Sequence, residues 1–407
     1  MWARSSNPVT SLNVMAPPSW TDRILAPFER KPSSGRYVPE IDGLRFLAIF
    51  LVILFHAHLF FRDGTEPINA HELAGKDWGT IARHVPNFFI AKGWFGVQIF
   101  FVISGLVLAI PFASHHLNGT RLPELRSYFK RRLIRIEIPY LITLTIFFVT
   151  SGLWSGAGMR EMLPHYLAGL IYSHTFFYDG ALNPLLAVAW TLEIEIQFYL
   201  LVSFLCRIFM ISNAPLRRGI LVLGVVASQF LNEGLQGIWE SRIWDHSIIG
   251  QLGYFLIGIL IADFFLSPGF AKWREGSRAH FWDVLGLITW PMVFLMIEWH
   301  FPVNLKPFVL LLGFLSVLCG NRLLKLFRNR WLTAVGAMCY TIYLFHNTML
   351  YVILRPTIFK DVQAGNWPLN AILICVMAVM AIVMCAGLFL FVEKPFARGK
   401  LPWRSKE

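Results

Sequence analysis

The sequence predicts an all-α, polytopic transmembrane helix bundle of about ten spans with both termini cytoplasmic. Three observations predict it. Of 407 residues, 56% are hydrophobic and only 15% charged, with mean hydropathy +0.56, more apolar surface than a soluble core absorbs. Apolar stretches of roughly 18 residues recur along the chain, each long enough to cross about 30 Å of hydrocarbon. They lack the alternating pattern of a barrel strand, and in lipid the remaining way to satisfy the backbone is a helix.

Residues 1–37 read as an irregular cytoplasmic tail, with Pro8, Pro17, Pro18, Pro27 and Pro32 and no apolar run of signal-peptide length. A membrane domain is expected over 38–398 and a short cytoplasmic tail over 399–407. Within it, spans are expected near 44–61, 92–112, 136–154, 190–211, 218–232, 247–266, 282–299, 306–320, 331–353 and 370–392. An eleventh candidate, 161–178, contains Glu161, Pro164, His165 and His174. Charge decides against it. With ten spans, loops on the side of the N-terminus hold 26 Lys and Arg and the opposite loops hold 8, the asymmetry that marks the cytoplasmic side. An eleventh span would erase it, so 155–189 is expected as an outer loop with a re-entrant or interfacial piece. No internal repeat is evident.

The net charge of +12 does not indicate nucleic-acid binding, because the basic residues lie in short loops outside any such motif. Anionic membrane lipid is the expected partner. The five cysteines fall in or beside apolar spans without metal-ligand spacing, so they read as packing residues and no metal site is expected.

Ionisable residues in spans are costly and therefore informative. In the first, Asp42 stands where an N-cap is expected, Arg45 follows, and His56 lies eleven residues on, about 16 Å deeper on the same helix face. Phe100-Phe101-Val102-Ile103-Ser104-Gly105 carries a Ser-Gly step that serves close helix packing or a hydroxyl beside a bound thioester. The basic run Arg126–Arg135 obeys the topology rule, yet Arg131 and Arg135, four apart, share a helix face and offer guanidinium forks to phosphate. In Trp190-Thr191-Leu192-Glu193-Ile194-Glu195 the two acids point to different faces, and Glu195, a turn deeper than Trp190, is the better buried candidate. From the span limits Glu195 and His56 lie at matching depth and are expected to meet, with His346 slightly deeper. For each of these the bland alternative is snorkelling arginines or a structural polar cluster joining helices.

Taken together these residues resemble the acyltransferase 3 family of multi-spanning membrane proteins. Arg45 and His56, separated by ten residues, match its opening element; Phe100–Gly105 is similar to Phe-Phe-x-Ser-Gly with one residue more; Arg132 and Arg135 match Arg-x-x-Arg. Trp190, Leu192, Glu195, Phe198 and Tyr199 match Trp-x-Leu-x-x-Glu-x-x-Phe-Tyr, and Tyr343 with His346 and Glu393–Pro395 complete the order. The resemblance covers about residues 38–398. It implies a ten-span bundle in a bacterial cytoplasmic (inner) membrane that transfers an acyl group, most often acetyl, from acyl-CoA to a hydroxyl of a surface polysaccharide, lipid-linked glycan or similar acceptor. Some members carry an additional extracytoplasmic hydrolase-like domain, for which this chain is expected to have no room, so a relay to one would need a separate protein.

The expected division of labour places Arg45, Arg131, Arg132 and Arg135 on the anionic part of acyl-CoA. His56 is expected as general base on the acceptor hydroxyl, Glu195 as the carboxylate that orients it, and Ser104 as a donor to the oxyanion. A transient acyl-histidine is a variant. Acyl-CoA is expected as substrate, with no permanently bound cofactor. A proton-coupled transporter or glycan permease is the rival reading, but it commonly has inverted repeats and corresponding broken helices, and neither is visible. A non-catalytic envelope partner would leave the Arg45–His56 spacing without purpose.

Overall fold

The computed structural model describes residues 19–30, 37–59, 77–154, 158–238, 241–298, 305–358 and 367–396, and among these residues there are helices and no strands. In order they are α1 (Trp20–Leu25), α2 (Pro39–Leu59), α3 (Trp78–Ala91), α4 (Gly96–Asn118), α5 (Leu125–Trp154), α6 (Met159–Leu170), α7 (His174–Phe177) and α8 (Ala189–Leu205). Then come α9 (Ala214–Ile238), α10 (Ile248–Leu266), α11 (Phe270–Trp273), α12 (Gly276–Glu298), α13 (Lys306–Cys319), α14 (Arg322–Phe327), α15 (Arg330–Ala337), α16 (Cys339–Asn347) and α17 (Trp367–Val392). Between α16 and α17 the residues Thr348–Leu354 wind as a π-helix.

Each expected span coincides with a helix or a pair of helices, but the lengths do not all suffice for a span. Among the described residues seven helices are long and apolar enough to cross a membrane, and α15 with α16 and the turns after it makes an eighth if the bent pair is one span, bent by 65°. The other two expected spans correspond to α8, with 17 residues, and α13, with 14 residues; the latter rises only about 21 Å. The 161–178 segment forms α6 and the single-turn α7, not a span. α6 packs on α5, where Tyr140 Oη donates to the Gly169 carbonyl at 2.9 Å and Tyr166 stacks on Phe148.

Three local expectations change. Residues 19–30 are not irregular: α1 is closed by a Ser19–Asp22 capping box and held to α15 by Arg330, which pairs with Asp22 and Glu29. The loop expected over 113–135 is mostly helix. α4 runs to Asn118, Gly119 ends it in the left-handed region (φ 67°), and α5 takes in the basic run from its first turn. Finally, α2 begins at Pro39, so Asp42 lies inside the first turn and is not its N-cap.

α4 forms the centre, packed on α2 and α10. Lipid tails give apolar side chains no reason to leave them, so close packing must hold such helices together. A Cβ on Gly105 would collide with the Phe255 carbonyl, and one on Gly258 with that of Val102. This pair of glycines lets α4 and α10 approach at backbone distance. At the break before α16 the freed amide and hydroxyl of Thr341 donate to Glu393 Oε2 at 3.0 and 2.9 Å, which supplies the acceptor a helix start needs in a medium without water.

Candidate active site

A cavity of about 430 Å³ is lined by α2, α4, α5, α8 and α16 together with the segment before α2. Its lining on α4 extends from Val97 to Pro111, fourteen steps of the helix and roughly 21 Å, so it is a long channel rather than a surface dimple. Six of the seven expected site residues line it: Arg45, Arg131, Arg132, Arg135, Ser104 and Glu195. His56 does not.

One end is basic. Arg30, Arg45, Arg131, Arg132 and Arg135 face the cavity, against two carboxylates, Asp42 and Glu195. Arg45 Nη1 lies 2.6 Å from Asp42 Oδ1, and Asp42 also receives Tyr37 Oη at 3.1 Å and faces Arg30 at 3.7 Å. The guanidinium fork of Arg45 is therefore engaged in part by Asp42, the residue whose position suggests an N-cap. Arg135 faces Glu393 at 3.6 Å, and Arg132 lies over the Tyr128 ring at 5.1 Å. Arg131 is exposed, and among the described residues it has no carboxylate partner. Guanidinium groups gathered this way around shared carboxylates are suited to a multiply charged anion.

Further in, Ser104 Oγ donates to Glu195 Oε1 at 3.3 Å and Tyr199 Oη to the same oxygen at 2.7 Å. The two residues of the Ser-Gly step face different ways: Gly105 packs against Phe255 and Ser104 faces the cavity. The expected contrast between the two glutamates is reversed. Glu193 is the more buried, 1% exposed, and accepts from the Thr175 hydroxyl and from the amides of His174 and Thr175 at 3.0–3.1 Å, anchoring the α7 loop. Glu195 is half-buried at the cavity wall.

The expected contact between Glu195 and His56 is not made. His56 Nδ1 lies 2.8 Å from the Val52 carbonyl and 3.4 Å from His346 Nε2, with the two rings edge-to-face at 4.8 Å. A carbonyl only accepts, so Nδ1 of neutral His56 carries the proton and Nε2 presents a lone pair. His346 Nδ1 likewise faces the Ile342 and Tyr343 carbonyls at 3.1 and 2.9 Å, which leaves its Nε2 bare towards His56. Tyr351 Oη, from the π-helical turn, donates to the His56 carbonyl at 2.8 Å; such turns often re-aim side chains at functional sites. The matched depths inferred for Glu195 and His56 do not hold: Glu195 meets Ser104, about two turns along α4 from the Gly96 that packs at the level of Val52, and His56 lies a turn beyond that level on the other side.

Tyr343 stands between cavity and histidines. Its hydroxyl meets Thr191 Oγ1 at 2.8 Å and its ring lies edge-on to Phe100 at 6.0 Å; all three residues line the cavity. His346 is the next turn of the same helix. On the other wall Gly96 is pressed against the Ala48 carbonyl and Val52, so the Val97 end of the cavity reaches the level of Val52, one turn short of His56. Arg30 and Tyr37 were not legible in sequence, since nothing in a Pro-rich stretch says that these two side chains reach Asp42 of the first span.

The family profile described as an acyltransferase domain, acyltransferase 3, matches residues 38–387. Among curated proteins the chain is 22% identical over 400 residues to one from Staphylococcus aureus (strain MRSA252) named as a putative O-acetyltransferase, covering 91% of this chain and 59% of that one. It is 26% identical over 262 residues to the O-acetyltransferase OatA of Staphylococcus aureus (strain NCTC 8325 / PS 47), covering 61% of this chain and 38% of OatA. The chain thus spans well under two thirds of the length of these relatives. No solved structure matches it.

Proposed function

The chain belongs to the acyltransferase 3 family, a family of multi-pass membrane proteins, and on that premise we propose that it moves an acyl group, most simply acetyl, from acyl-CoA to a hydroxyl of a carbohydrate-type acceptor such as a surface polysaccharide or lipid-linked glycan. The observation that carries this reading is the cavity itself, basic at one end and running along α4 to within one turn of a histidine whose Nε2 has no partner among the described residues. The arginine end holds the phosphates of the donor, and the pantetheine arm follows α4 past Ser104 towards Tyr343. A transporter has no need of that graded channel.

In the proposed reaction the acceptor hydroxyl gives its proton to His56 Nε2 while its oxygen bonds to the thioester carbonyl carbon. The tetrahedral intermediate collapses with cleavage of the C–S bond, and the departing thiolate takes the proton back from the imidazolium. His56 Nδ1–H points to the Val52 carbonyl at 2.8 Å with His346 Nε2 beside it at 3.4 Å, and these acceptors favour the charged ring in between, the role expected of Glu195. Glu195 acts on the cavity wall instead, fixing the Ser104 and Tyr199 hydroxyls. Ser104, bonded to Glu195 about two turns along α4 from the level of Val52, lines the path of the pantetheine arm and lies too far from His56 to serve the oxyanion in this scheme.

The ten-span topology, both termini cytoplasmic in a bacterial inner membrane, fits this reading because it puts the arginines on the acyl-CoA side. Membranes containing the protein, incubated with labelled acetyl-CoA and candidate glycans, test it: label moves to a glycan hydroxyl. Label that crosses the membrane without becoming covalently attached sinks the proposal.

A further inference from the structure

The family match begins at residue 38, yet the cavity lining begins before it. Arg30 and Tyr37 both line the basic end, and both reach Asp42, Arg30 at 3.7 Å and Tyr37 Oη at 3.1 Å. Arg30 Nη2 also lies 3.5 Å from the Ala337 carbonyl at the break between α15 and α16. The segment carrying Arg30 is not draped at random. Leu25 is buried, Phe28 packs on Phe389 at 6.1 Å, Trp20 meets Trp331 at 6.5 Å, and Arg330 ties α1 down through Asp22 and Glu29.

Charge makes this placement costly unless something else binds there. Arg30 and Arg45 share the single carboxylate of Asp42, with Arg135 close by. Burial and the neighbouring guanidinium of Arg135 pull the Arg30 pKa down to about 10. A guanidinium held among guanidiniums, with one shared counter-charge, is an incomplete ion network that a polyanionic ligand would complete.

We infer that residues 19–30 are a docked strap that delivers Arg30, with Tyr37 beside it on Asp42, to the phosphate-bearing part of the acyl-CoA donor, adding to the four arginines of the family domain a fifth from outside it. This rests on the donor reading above, and deepens it by making donor affinity depend on whether the strap is docked. Arg30 contacts the ligand, while Arg330 acts only through α1.

The test is acetyl-CoA affinity of the purified full chain in nanodiscs, for wild type, Arg30→Ala, Arg30→Lys, Arg330→Ala and Arg30→Ala with Arg330→Ala. Loss of one charge-assisted phosphate contact predicts about a tenfold or greater weakening in Arg30→Ala, partly restored in Arg30→Lys, which keeps the charge without the fork. Arg330→Ala should weaken binding too, and on the Arg30→Ala background it should cost nothing further, because both act through the same contact. Wild-type affinity in Arg30→Ala overturns the inference, as does an additive double variant. If wild type itself does not bind acetyl-CoA, the donor reading falls first and takes this inference with it.

Discussion

His346 Nε2 stands 3.4 Å from His56 Nδ1, and each ring's Nδ1 is turned to carbonyls of its own helix. The two tautomers are thereby fixed in the sense a base needs: His56 offers Nε2 outwards, and its Nδ1–H already faces the Val52 carbonyl with His346 Nε2 as a second acceptor, which favours the ring once Nε2 is protonated. His346→Ala is expected to bind acyl-CoA normally and to turn over about 10- to 100-fold more slowly, the worth of one hydrogen bond to a charged ring. His346→Gln, whose amide oxygen can also accept, should recover part of this. Kinetics on the three proteins check it; unchanged turnover in His346→Ala means the pair is packing alone.

Glu195 makes a contrasting case. It accepts from Tyr199 and Ser104 and is one of two carboxylates in a cavity with five arginines. Glu195→Gln keeps the shape and removes negative charge, so acyl-CoA affinity should be equal to or tighter than wild type while turnover falls. Affinity by titration and turnover by label transfer separate the two. Weaker binding in this variant would place Glu195 in contact with a cationic or hydrogen-bonding part of the donor instead.

Much of this was legible in the sequence because lipid makes residues declare themselves. Apolar length located the helices, and the price of a charge in a span drew attention to Arg45, His56 and Glu195. Partners were harder. Spacing along a helix gives depth and face, but Asp42 with Arg45, Ser104 with Glu195 and His56 with His346 depend on how neighbouring helices are rotated. The break at Met338 has no proline to announce it, and its compensation comes from Glu393, more than fifty residues away. The docking of α1 was invisible for the opposite reason, since polar contacts such as Arg330–Glu29 leave no hydropathy signal.

The charge-derived topology predicts that residues of the α7 loop face outwards and the start of α5 faces the cytoplasm. Gly180 is a poor reporter, with φ 76° and its Cβ direction blocked by Arg242. Phe176, 72% exposed, and the exposed Arg126 are better. In a cysteine-free background, Phe176→Cys should react with an impermeant maleimide on intact cells, and Arg126→Cys only after permeabilisation. The reverse pattern rejects the orientation.

The α7 loop should also loosen in acid. His174 is buried, with Nε2 2.9 Å from His165 Nδ1 and its ring stacked on Tyr178. Burial, and then the neighbouring His165, lower its pKa from 6.5 to about 4. A histidine kept neutral in the fold contributes stability that is full above its unfolded pKa and is lost as pH falls from about 6.5 towards 4. Amide exchange over residues 174–178, corrected for intrinsic rates, should therefore rise across that window and lose most of its pH dependence in His174→Phe. Flat protection from pH 7 to 4.5 in wild type contradicts this.

The central claim is that one cavity binds the donor while His56, a turn beyond it, performs the chemistry. It is tested most directly by measuring acyl-CoA binding and acyl transfer together on wild type, His56→Ala and Arg131→Ala in one nanodisc preparation. Arg131 is chosen because, unlike Arg45, its removal strands no buried carboxylate. The account predicts that His56→Ala binds acyl-CoA within a few-fold of wild type while transfer falls by about 100-fold or more, and that Arg131→Ala weakens binding with transfer restored at saturating donor. If His56→Ala instead loses affinity as severely as Arg131→Ala, with transfer falling only in proportion, His56 is a binding or structural residue and the assignment of the base is wrong.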